Sequence, residues 1–132
     1  MVAVLLFLLA LSAGPADAAV AQPIATVIVA AHDSSPSARS TADYVCDGEG
    51  DQEEINAALT SLPPAGGMVF LTEGTYDIRK VRGTLGGILI QRSHVTLAGT
   101  GPATQLVLAP HQNTNVIRIL GRDVGCITIR DL

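Results

Sequence analysis

The sequence predicts a mostly-β chain, a parallel β-solenoid of two to three coils behind an N-terminal capping α-helix. Three observations predict it. Short apolar runs recur after Gly67, each closed by glycine, proline or asparagine. Equivalent runs return every 26 to 32 residues, a period that suits stacked repeats. Only one segment, just before the first repeat, carries a clear helical pattern.

The chain of 132 residues is long enough for one small domain. Residues 1–21 read as a secretory signal. An apolar run from Val2 to Leu11 is followed by Gly14-Pro15, and Ala16-Asp17-Ala18 and Ala19-Val20-Ala21 both fit the small-x-small cleavage rule. The run is shorter than the ~20 residues that span a bilayer. The expectation is therefore a secreted, extracellular protein with no stable membrane span after cleavage. No Lys or Arg precedes the apolar core, and the first base is Arg39. An apolar N-terminal helix or membrane anchor is the competing reading.

Residues 22–65 hold an N-terminal strand, a loop and the capping helix. "IATVIVA" (24–30) is β-branched and predicts a strand. "HDSSPSARST" (32–41) is polar and rich in turn residues, which predicts a loop. Asp51 and Glu54 stand in the D-x-x-E relation of a capping box, with Asp51 expected to accept from the open amides of the first turn. Ile55, Ala58, Leu59 and Leu62 then form one apolar stripe, and Pro63-Pro64 ends the helix. Placed before the first repeat, this helix over 51–62 is the expected lid on one end of the solenoid.

Residues 66–132 supply the repeats. The runs are "MVFL" (68–71), "TYDI" (75–78), "GILI" (87–90), "HVTLAG" (94–99), "TQLVLA" (104–109), "NVIRIL" (115–120) and "CITIRDL" (126–132). Val69, Val95 and Ile127 open the first members, Thr75 and Thr104 the second, and Ile88 and Val116 the third. The alternative is an antiparallel sandwich, whose turns also come every ~8–12 residues. Asn-Gly or Asp-Gly hairpin turns would favour it, and none follows Gly66. The last run stops in what reads as the middle of a third coil, so the expectation is that these residues begin a longer protein.

Composition narrows the function. Removal of residues 1–21 takes one acid, Asp17, from the chain's 12, leaving 11 acids against 8 bases, net −3. That argues against a nucleic-acid partner. Seven acids and one base lie between Asp33 and Glu54, and seven bases and two acids from Arg79 onward. The bases are scattered along the sequence, which favours two solvated surfaces over a basic face for an anionic polymer. Beyond residue 21 the aromatics are Tyr44, Phe70 and Tyr76, few for a complete ring-stacking sugar site. Cys46 and Cys126 have no metal-ligand spacing, and two buried free thiols are a better reading than a disulfide.

No catalytic, cofactor-binding or metal residue emerges. Asp47 and Asp51 flank "GEG", but the alternating order of a calcium loop is missing. His32, His94 and His111 have no nucleophile motif beside them. Gly99-Thr100-Gly101 resembles the start of a dinucleotide turn, yet position 104 is Thr and Pro102 follows at once. The segment after it is too short for the helix of a βαβ unit. The glycines are better placed as a corner between two strands, with positive φ allowed, and no nucleotide is expected.

"ADYVCDGEGDQEEINAAL", then "PPAGGMVFLTEGTYDI", then "HVTLAGTGPATQLVLA" resembles the N-terminal part of secreted right-handed parallel β-helix proteins of the pectate-lyase-like superfamily. The resemblance covers about residues 42–109. It implies a right-handed parallel β-helix, and a protein that acts on or binds polysaccharide or cell-surface glycan. Polysaccharide lyases and glycoside hydrolases belong to the superfamily, as do non-catalytic surface and adhesin-like proteins, which form the alternative. The chain has no adjacent Asp pair, no Gly-His-Gly and no Arg-x-Lys, so no functional residue carries over. Arg130-Asp131 lies on a first-sheet strand but is a single pair. This stretch is expected to be inactive by itself, with no cofactor.

Overall fold

A computed structural model of the chain describes residues 24–132. The expected signal segment, residues 1–21, lies outside the described residues. The described part is mostly strand, arranged in short parallel sheets with two helices.

Strand β1 (Thr26–Ala30) leads to helix α1 (Pro36–Thr41), strand β2 (Tyr44–Val45) and helix α2 (Gln52–Ser61). Three strands follow: β3 (Gly67–Leu71), β4 (Gly74–Ile78) and β5 (Gly86–Ile90). A second set, β6 (Val95–Ala98), β7 (Thr104–Leu108) and β8 (Asn115–Ile119), precedes β9 (Thr128–Arg130). The first sheet has the order β2-β1-β3-β6-β9, the second pairs β4 with β7, and the third pairs β5 with β8. Every one of these pairings is parallel, which removes the antiparallel sandwich.

The repeat is visible in the register. Met68 pairs with Thr96, 28 residues on, and Gly74 with Thr104, 30 on. Ile88 pairs with Ile117 at 29, and Leu97 with Ile129 at 32. Val95 and Ile127 share the offset of 32 of β6 and β9, but the other expected equivalences are out of step. Val69 faces Leu97 and not Val95, Thr75 faces Gln105 and not Thr104, and Ile88 faces Ile117 and not Val116. The strands begin on Gly67, Gly74 and Gly86, and a residue without a side chain gives no hydrophobic signal. The register matters, because a one-residue slip turns a strand's core face outward. As paired, Tyr76 and Ile78 lie over Leu106 and Leu108, all directed to one core.

Helix α2 buries Ile55, Ala58, Leu59 and Leu62, the stripe expected from sequence. It joins the core formed by Val29, Val69, Leu71, Tyr76, Ile78, Ile88, Ile90 and Leu97. Pro63 holds Leu62 extended at ψ 147, as a residue before proline prefers. A guanidinium N–H of Arg92 donates to the Leu62 carbonyl at the helix end.

Two corrections concern this region. Residues 32–41 contain a helix where a loop is expected. Ser35 caps it by accepting from Ala38 N at 3.2 Å, with proline in its first turn. Strand β2 is also unforeseen, because two residues carry no periodicity. Asp43, just before it, holds β1 by accepting from Ile28 N at 2.8 Å.

Candidate functional site

Asp51 does not cap its helix through its side chain. Its Oδ1 accepts from Gly48 N and its Oδ2 from Asp77 N, both at 2.8 Å, while Asp51 N donates to Asp77 O at 2.8 Å. The neighbouring groups repeat this pattern. Thr75 N donates to Asp33 Oδ1 at 2.9 Å and Arg79 N to Gln52 Oε1 at 2.8 Å. Thr75, Asp77 and Arg79 alternate along β4, so their amides share the edge away from β7. On β5, Leu89 N donates to Asn56 Oδ1 at 2.8 Å, and Asn56 Nδ2 donates to Gly87 O at 2.9 Å. Side chains from the α2 region thus take the place of a preceding strand on the second and third sheets, while β1 and β2 supply real strands to the first. An edge satisfied in this way offers nothing for another chain to pair with. Among the described residues, the opposite edges of β7, β8 and β9 have no strand beside them, and Val107, Ile119 and Ile129 are exposed there.

Beneath this cap lie Cys46, Asp51 and Glu54, whose ligand atoms all fall within 4.8 Å of one another. Three atoms are fewer than the four a structural zinc takes, and both Asp51 oxygens already hold backbone amides. Burial pushes the Cys46 thiol far up, and Asp51, Glu54 and Asp47 add to the rise. A thiol kept protonated is a poor nucleophile. Burial also raises Asp51, although the amides of Asp77 and Gly48 oppose it, and raises Glu54, with Asp47, Asp51 and Glu53 adding repulsion. Glu54 Oε2 is buried with no hydrogen-bond partner among the described residues.

These shifts set a pH dependence. Asp51 and Glu54 hold a proton more tightly folded than unfolded. Their contribution is complete below the ordinary carboxylate range and is lost as pH rises through their raised native values. Asp33 and Glu73 act oppositely. Burial pushes Asp33 up, but the hydrogen bonds of Thr75 outweigh it, and Ser35 N–H lowers Glu73. Their contribution is lost as pH falls through their depressed values. The thermal midpoint should therefore be highest near the ordinary carboxylate range and decline as pH rises through the raised native values of Asp51 and Glu54. Glu54→Gln should make that decline shallower and raise the midpoint on the alkaline side, where the native carboxylate is charged. An unchanged slope would show that the buried acids do not set it.

The other polar candidates do not converge. His94 and His111 stand at positive φ, in corners. Cys46 is buried and free, and Cys126 is free but exposed, against the expectation of burial. Arg130 pairs with Asp131 on the surface. At the strand corner, Gly101 has the positive φ of 86°. Gly99 serves differently: a Cβ there would strike Asp131 O. Thr104, where a dinucleotide turn needs glycine, is buried and accepts from Thr100 N through Oγ1 at 2.9 Å.

One concave feature lies at the corner between the second and third sheets. A groove of roughly 520 Å³ is lined by Lys80, Gly83, Thr84, Leu85, Arg118 and Leu120, within the ~300–1,000 Å³ of ligand clefts. Residues 79–85 and the turn before β8 are tied together there, with Lys80 N donating to Gln112 Oε1 at 2.9 Å. A second hollow of about 350 Å³ shares Leu85 and adds Asn113, Thr114 and Asn115. The first hollow offers cations and aliphatic surface, and the second offers amide groups. This set can bind, but it holds no paired acid and base for bond cleavage. Scattered in sequence, these residues gave no signal as a site.

Among the described residues no helix is long and apolar enough to cross a membrane. No family model matches the chain, and neither a curated protein nor a solved structure matches it.

Proposed function

We propose that this chain forms turns of a secreted right-handed parallel β-helix of the pectate-lyase-like type, and that it serves as a rigid platform that binds polysaccharide without cleaving it. The observation that carries this reading is the repeat. Strands β3, β4 and β5 each pair, parallel and in register, with the strand one period later. Stacked repeats of this kind present long, stiff surfaces suited to polymers. The corner grooves give that surface concave, polar contact points. General acid–base or two-carboxylate cleavage needs groups poised across a bond. Asp51 and Glu54 come together under the cap, and Asp51 is committed to backbone amides.

Affinity electrophoresis of the purified protein in gels containing polygalacturonate, alginate or a neutral galactan tests the binding. The same mixtures are assayed for unsaturated or reducing ends. The expected result is retardation in at least one gel with no new ends. Clear accumulation of ends would overturn the non-catalytic reading, and free migration in every gel would overturn glycan binding.

A further inference from the structure

Of the eight bases in the sequence, three are held by partners through their side chains among the described residues. Arg79 pairs with Asp77 at 2.7 Å and reaches Glu49 at 3.9 Å. Arg130 pairs with Asp131, and Arg92 donates to the Leu62 carbonyl. These three are occupied by neighbouring acids or by the backbone. Lys80 and Arg118 make no ion pair and no side-chain hydrogen bond among the described residues, yet both line the same groove. They come from different periods of the repeat, Lys80 from the segment after β4 and Arg118 from β8. The parallel register of β5 and β8, with Leu89 beside Arg118, brings them to one corner. Arg82, exposed in the same loop as Lys80, adds a third positive charge nearby.

Two unpaired cations facing a shared cleft raise the local concentration of anions. Leu85, 54 % exposed, and Leu120 give the groove an aliphatic side. In the adjoining hollow, Asn113 and Asn115 are exposed. An ordinary charged protein surface does not combine these features. Cations fix an acidic substituent, apolar surface takes the face of a sugar ring, and amides take its hydroxyls.

We propose that the corner groove between residues 79–85 and β8 is a binding site for an anionic glycan, with Lys80 and Arg118 holding its acidic groups. This deepens the platform reading above and rests on it. The charge comes from a carboxylate or from a sulfate ester, and the two sources are separated by the probe.

The test uses the full chain and three polymers: polygalacturonate, dextran sulfate and neutral galactan. Lys80→Ala/Arg118→Ala is compared with Arg122→Ala/Arg130→Ala, which loses the same charge elsewhere, and circular dichroism checks that both remain folded. The expected result is binding to at least one anionic polymer, weakened about tenfold in the groove variant and little changed in the control. Retention of polygalacturonate assigns the carboxylate, and retention of dextran sulfate the sulfate ester. Equal loss in both variants would reduce the effect to net charge and overturn the site. Binding of the neutral polymer alone, or anionic binding indifferent to Lys80 and Arg118, would overturn the site and leave the platform standing. Binding to none of the three would overturn both.

Discussion

Asp51→Ala should destabilise the protein by about 2–4 kcal/mol, a large share of the ~5–15 kcal/mol that holds a small domain together. Two backbone donors depend on its carboxylate. Gly48 N shapes the loop before α2, and Asp77 N lies on the uncovered edge of β4. Asp51 is fully buried, so water does not readily replace it. Neighbouring substitutions distinguish the mechanism. If Asp51 acted as a helix cap, Ser would serve nearly as well. As a plug for the strand edge, Ser is too short to reach both amides, and Asn retains one oxygen for two donors. The expected order is Asp above Asn, with Ser close to Ala, read from urea midpoints at constant slope. Ser recovering most of the stability would restore the capping mechanism. A large change in slope for Asp51→Ala would mean that the strand edge opens while the rest stays folded.

The contrast over Asp51 marks the boundary of what the sequence makes legible. The apolar stripe of α2, the seven runs after Gly67 and the length of the repeat are local or periodic properties, and a chain displays them openly. The fold class follows from them as far as parallel sheets and a covering helix. The edge closure does not. Asp33, Asp51, Gln52 and Asn56 are polar residues before or within α2, and locally each reads as loop, cap or solvated helix surface. Their partners Thr75, Asp77, Arg79 and Leu89 stand 26 to 42 residues away. Only the stacked geometry gives those amides a reason to need acceptors. The acidic bias between Asp33 and Glu54 is therefore partly structural: two of those carboxylates accept from a strand edge. The groove was hidden for the same reason. Lys80 and Arg118 are 38 residues apart in sequence and become neighbours only through the register of β5 and β8. One signal was available and unused. An unpaired strand edge needs a cover, and the polar residues that flank a capping helix are the nearest supply.

Tyr76 makes the core's dependence on this stacking measurable. Tyr76→Ala should cost about 3–5 kcal/mol, whereas Tyr76→Phe should cost only about 0.5–1.5 kcal/mol. Tyr76 is the largest fully buried side chain, at 0 % exposure. It crosses from β4 to the first sheet, where its hydroxyl lies 3.0 Å from Val29 O and 3.1 Å from Thr72 O. One proton serves two carbonyls, and neither depends on it. Val29 O also accepts from Thr72 N at 3.0 Å, and Thr72 O from Thr104 Oγ1 at 3.0 Å. Removal of the hydroxyl therefore leaves both acceptors satisfied, while removal of the ring opens a cavity in the shared core. Core packing is dense enough that neighbours fill such a space only in part. For a domain of this size each kcal/mol moves the thermal midpoint by roughly 4–8 °C, so the two variants separate in one melting experiment. If Tyr76→Phe proves as damaging as Tyr76→Ala, the hydroxyl and not the ring binds the second sheet to the first. The core would then depend on a polar tie between strands, and packing would be secondary.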